Sequence, residues 1–150
     1  MGLVYVAVAG AGRASAEVEH LAEEVGRLLA AAGVVAVTGG LGGVMEAASR
    51  GAAQAGGQVI AIVPGESRQA ATPYATAVVA TGTGQARNLA LAATCDGMIA
   101  VGGEWGTLSE IALAGKLGRP VVALAGWEVR GVDLAADPAD AVARLLERLA

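Results

Sequence analysis

Four apolar runs in this chain end in glycine where a helix should follow, and that arrangement limits the folds open to it. The runs are Leu3 to Ala9, Val34 to Thr38, the weaker Ala75 to Ala80, and Gly97 to Val101. The glycines that follow them are Gly10-Ala11-Gly12, Gly39-Gly40-Leu41-Gly42-Gly43, Gly82-Thr83-Gly84 and Gly102-Gly103. Short β-branched runs of this kind read as strands buried on both faces. Gln58 to Val63 and Pro120 to Ala125 read the same way, and residues 64 to 75 read as a loop. Between the strands the periodicity is helical. Ser15 offers an N-cap, Leu21, Val25, Leu28, Leu29 and Ala32 form one stripe, and Gly33 stops the helix. Further helices are predicted over Val44 to Ala55, residues 85 to 95 and Leu108 to Lys116. A last helix has Asp137 as N-cap and Pro138 at its first position. Strands alternating with helices predict a Rossmann-like, doubly wound parallel α/β sheet with helices on both faces. In such a sheet the strand-to-helix loops share the carboxyl edge, where ligands bind. All four glycine loops therefore converge on one edge.

The rest of the composition narrows the classes. A length of 150 residues suits one domain, spanning 1–150. Hydrophobic residues make up 55% and charged residues 16%, enough apolar surface for a sizeable core. Aromatics are 3%, so Ala, Val and Leu must fill that core, and small residues permit close helix packing. A net charge of −4 argues against a nucleic-acid surface, which needs a basic stripe. It leaves room for a small anion held by backbone amides. The single Cys95 cannot form an intrachain disulfide and is expected to be a buried, inert thiol. No signal peptide and no apolar run of spanning length is visible, so no membrane association and a cytoplasmic location are expected.

Among motifs, "GAGRAS" nearly matches the dinucleotide fingerprint, but Ser15 stands at the third glycine and the second strand ends in Thr38 rather than an acid. That disfavours a standard NAD site and leaves a tight turn or a phosphate-binding turn. There is no Walker sequence, no nucleophile elbow and no metal-spaced cluster, so no cofactor or metal is expected. His20 sits among glutamates in the first helix and reads as a surface residue. Glu110 has two readings. Thr107 and Glu110 have the spacing of a capping box, in which Glu110 only caps its helix. Alternatively Glu110 lies on the rim of a glycine-lined anion pocket, with Arg87 as its partner. Arg87 opens an apolar helix on the ligand edge and suits phosphate recognition.

Two stretches are also familiar together. "TGGLGGVMEAASRGA" and "VGGEWGTLSE" resemble the paired glycine motifs of the Lonely Guy (LOG) family, once called lysine decarboxylases. The closer resemblance is to a compact branch related to molybdenum cofactor carrier proteins, with the DNA-uptake protein DprA more distant. The resemblance implies a nucleoside 5′-monophosphate phosphoribohydrolase, with Arg87 and Glu110 in the catalytic positions. It places Gly102, Gly103, Gly106 and Thr107 in the phosphate loop, with Gly39, Gly40, Gly42 and Gly43 as a second glycine wall. Gly10 and Gly12 complete the expected ligand loops. The carrier branch implies instead a phosphorylated pterin held without turnover. The chain departs from the LOG pattern at Val101, Thr38, Glu46 and Asn88. Helix pairing in the family implies a homodimer or homotetramer, an expectation that the apolar "NLALAATC" and "LSEIALAGKLG" segments share.

Overall fold

The computed structural model describes residues 2–150. Its strands are β1 (Tyr5–Ala9), β2 (Val35–Thr38), β3 (Val59–Val63), β4 (Ala77–Ala80), β5 (Gly97–Gly102), β6 (Val121–Gly126) and β7 (Asp133–Leu134). Its helices are α1 (Ala16–Ala31), α2 (Val44–Gln54), α3 (Arg87–Thr94), α4 (Trp105–Lys116) and α5 (Pro138–Leu149). The strands form one seven-stranded sheet in the order β4-β3-β2-β1-β5-β6-β7, every pair parallel. The expected α/β Rossmann-like sheet is thus the observed one.

Alternation along the central strands explains why helices must cover both faces. On β1, Val6 and Val8 enter one core while Ala7 and Ala9 enter the other. On β5, Ile99 and Val101 divide from Met98 and Ala100 in the same way. The first core is closed by Val25 and Leu29 of α1, Ala47 and Ala48 of α2 and Leu145 of α5. The second is closed by Leu91 of α3 and Ile111 of α4. Cys95 lies in this second core, and burial pushes its thiol up to about 11, so it is protonated at neutral pH.

Small residues set the distance between α1 and α2. A Cβ on Gly26 would lie 2.0 Å from the Ala48 carbonyl oxygen, and one on Gly51 would lie 2.0 Å from that of Glu23. The two helix backbones therefore touch at reciprocal glycines, with the Arg50–Glu23 ion pair at 3.0 Å beside them.

Most element ends fall where the residues place them. Ser15 Oγ accepts from the Val18 amide at 3.2 Å, and Asp137 Oδ1 from the Asp140 amide at 2.8 Å. Four details differ. The first strand starts at Tyr5, leaving Leu3 exposed. The loop after β3 and the approach to α3 each contain a short 3₁₀ turn. β7 is an addition, because its two residues offer no period to read. Most consequential is α4, which starts at Trp105 with Glu104 as its N-cap, three residues earlier than Leu108. Thr107 is then the third helical residue rather than the cap, and the capping-box alternative for Thr107 and Glu110 is not formed among the described residues.

Candidate functional site

The strand order reverses between β1 and β5: the chain runs outward from β1 through β2 and β3 to β4, then returns to β5 on the other side of β1. Loops leaving the carboxyl ends of those two strands diverge to opposite faces and open a crevice. A cleft of about 670 Å³ lies there. Its lining includes Gly10, Ala11, Gly12 and Arg13 after β1, and Glu104, Trp105, Gly106, Thr107, Ser109 and Glu110 at the start of α4. Gly84, Gln85, Arg87 and Asn88 enter from the head of α3, and Met45 and Pro64 complete it.

Of the residues expected at the site, Gly10, Gly12, Gly106, Thr107, Arg87 and Glu110 line this cleft. Gly39, Gly40, Gly42, Gly43, Gly102 and Gly103 do not. The glycines of the second loop act as spacers behind it. A Cβ on Gly39 would sit 2.3 Å from Arg87 Nη1, so only glycine lets the guanidinium come this close. Gly43 has φ 62°, and its Cβ would meet the Ala11 carbonyl at 2.2 Å. That loop thus supports the β1 loop from below. Glu46 does not line the cleft and accepts a long 3.5 Å hydrogen bond from Thr72 Oγ1. His20 is exposed on α1.

Arg87 is held firmly. Its Nη1 donates to the Ile62 carbonyl at 2.9 Å and to that of Gly39. This ties the head of α3 to the ends of β2 and β3. Its Nε is buried with no hydrogen-bond partner among the described residues, and so is the neighbouring Asn88 Oδ1. Buried polar groups without partners are uncommon in folded proteins. Burial lowers the guanidinium's pKa, and the Glu110 carboxylate partly offsets this. Arginine remains a cation regardless.

Glu110 faces that cation from the second turn of α4. Burial pushes its carboxyl up to about 7, with Arg87 pulling it back down. No ion pair joins the two among the described residues. At neutral pH Glu110 is therefore divided between acid and carboxylate, able to donate as well as accept a hydrogen bond.

The start of α4 supplies the other half of the chemistry. Its N-cap Glu104 makes no capping hydrogen bond, and the first intrahelical bond is Leu108 N–H to the Glu104 carbonyl at 3.1 Å. The amides before it lie at the positive end of the helix dipole. Arg13, in the loop after β1, also lines the cleft and is a second cation there. Sequence reading misses it because a lone arginine in a glycine turn looks like an ordinary exposed residue. Uncapped helix amides and arginine side chains are groups that commonly receive phosphate in proteins, and this cleft is lined by both. Among the described residues no group of His, Cys, Asp and Glu could hold a metal ion.

Fold and cleft define a Rossmann-like protein with a cleft at the switch point of its parallel sheet. The chain belongs to the SLOG cluster4 family, whose model matches residues 3–146, within the wider LOG-like superfamily. It is 44% identical over 124 residues to an uncharacterized protein of Archaeoglobus fulgidus, covering 83% of this chain and 82% of that one. Among solved structures it is similar to the molybdenum cofactor binding protein from the phototrophic bacterium Rippkaea orientalis. The TM-score is 0.95 at 32% identity, over 100% of this chain and 99% of the other. It is similar also to the molybdenum cofactor carrier protein of Chlamydomonas reinhardtii, with TM-score 0.91, 32% identity and 99% of both chains covered. DNA processing protein A of Streptococcus pneumoniae shares the fold, with TM-score 0.76 at 24% identity over 94% of this chain and 61% of that one.

Proposed function

We propose that this protein binds and holds a phosphorylated pterin of the molybdenum cofactor type, as a carrier rather than as an enzyme that consumes it. The observation that carries the reading is similarity over essentially the whole chain to molybdenum cofactor binding and carrier proteins, at TM-scores of 0.95 and 0.91. The residues present fit such a cargo. The amides opening α4, with Arg13, would take the phosphate, and Arg87 adds a fixed positive charge. Asn88 and a half-protonated Glu110 supply both donors and acceptors for a polar heterocycle.

Arg13 gives the cleaner test, because Arg87 also joins two strand ends to α3 and its loss would disturb the fold. Calorimetric titration should show a pterin with a side-chain phosphate binding well and its dephosphorylated form binding weakly. Arg13→Ala should weaken the phosphorylated form about ten- to a hundredfold, the value of one charged hydrogen bond. Equal binding of the two forms would refute a phosphate-reading site.

One observation favours a second reading. Arg87 and Glu110 occupy the catalytic positions of the LOG resemblance, and a carboxyl near pKa 7 is poised to protonate a departing base. A phosphoribohydrolase would release free base from purine 5′-monophosphates and lose that activity in Glu110→Gln. The carrier reading expects no release.

A further inference from the structure

We propose that Trp105 is the platform on which the planar ring of the bound ligand stacks, and that it sets the preference for ligands that carry a ring. The inference rests on the phosphate-ligand reading above and assigns the other end of the ligand. Trp105 lines the cleft as the first residue of α4, beside the amides proposed to hold the phosphate. It is 76% exposed, the most exposed of the large hydrophobic side chains among the described residues. In a chain with two tryptophans, two tyrosines and no phenylalanine, an indole left in water at the mouth of a cleft is an unusual use of apolar surface.

The ring does not stand alone. Trp127 lies 5.5 Å from it between centroids, tilted by 47°, within the preferred range for aromatic pairs. Trp127 is fixed in turn by its Nε1–H, which donates to the Glu104 carbonyl at 3.0 Å. That carbonyl belongs to the N-cap of α4, so the bond ties the supporting ring to the helix start that carries Trp105. A stacking surface is most effective when its orientation is set before the ligand arrives, because less freedom is lost on binding. The Trp127 buttress supplies that order. It also explains why Trp105 stays at the rim although no core covers it. The partners selected are flat conjugated rings with a phosphate within reach of the α4 amides: pterins or purines rather than sugar phosphates alone.

The test compares three probes by calorimetric titration: a pterin with a side-chain phosphate, GMP, and ribose 5-phosphate, which has no conjugated ring. Wild-type protein should bind at least one ring-bearing probe about ten- to a hundredfold more tightly than ribose 5-phosphate, the range spanned by base–aromatic stacking. Trp105→Ala should lower that ratio about tenfold or more and leave ribose 5-phosphate binding unchanged, whereas Trp105→Phe should retain most of it. In Trp127→Phe, where Trp105 is the remaining tryptophan, its fluorescence should be quenched by the ring probe and not by ribose 5-phosphate. An unchanged ratio in Trp105→Ala overturns the proposal while leaving the phosphate reading intact. So does a change of molecular mass in Trp105→Ala without a change in that ratio, which would make the indole a subunit contact. Failure of the wild type to bind any of the three overturns both.

Discussion

Glu110 is the residue on which the site's chemistry turns, and its titration can be followed through folding. Burial raises its pKa from an ordinary 4.5 to about 7 in the folded protein. The folded state therefore holds a proton that the unfolded state releases as pH rises through 4.5. Stability from this group is greatest below pH 4.5, falls between 4.5 and 7, and is level above. At about 1.4 kcal/mol per unit the loss is on the order of 3 kcal/mol. Denaturation across this range should show the decline in wild type and a flatter profile in Glu110→Gln. Identical profiles would place Glu110 in water. A glutamine at this position would serve a capping box as well as the native glutamate, so this comparison separates the buried group from a cap. The capping box is sound as a pattern and fails because the helix starts two residues before Thr107, at Trp105. Thr107 is 2% exposed and packed against Gly103, where an added Cβ would lie 2.4 Å from the threonine's own. Thr107 therefore sits buried in the first turn of α4 against the loop before it, and the spacing of the motif does not show where that turn begins.

Among the elements, α1 and α2 show how glycine is used away from the ligand edge. In an exposed helix Gly→Ala normally gains up to ~1 kcal/mol. At Gly51 the added methyl would meet the Glu23 carbonyl, so the helices must separate, and overpacking of this kind costs ~1–3 kcal/mol. Gly51→Ala should lower the denaturation midpoint, while Gly115→Ala on α4, where nothing lies within 4 Å, should hold or raise it. Reversal of that order would show that α1 and α2 are not in backbone contact. Elements with a full period are legible in the chain: the apolar runs give β1 to β6, and Ser15 and Asp137 mark two helix starts that the hydrogen bonds reproduce. The two-residue β7 is not, because it exists only through pairing with Val122 and Ala123. The glycine loops are legible as a group but not in their division of labour. Which glycine faces a ligand and which makes room for Arg87 depends on the layer beneath, and the sequence does not state it.

At the scale of the whole molecule, the switch point between β1 and β5 gathers two arginines, a half-protonated glutamate, an uncapped helix and an exposed tryptophan into one cleft. No helix among the described residues is long and apolar enough to cross a membrane. Leu89 and Leu117, 50% and 40% exposed, lie on α3 and at the end of α4, in the apolar segments from which a homo-oligomer is expected. A cleft that carries its proposed ligand unchanged can be recognised directly from what the protein holds when purified. The protein would be purified from a host that makes molybdenum cofactor and denatured, and the released small molecules identified by mass spectrometry. A phosphorylated pterin, intact and approaching one per chain, is the predicted result. A nucleotide in its place, or ribose 5-phosphate with free base, would contradict the account and return Arg87 and Glu110 to the hydrolase reading.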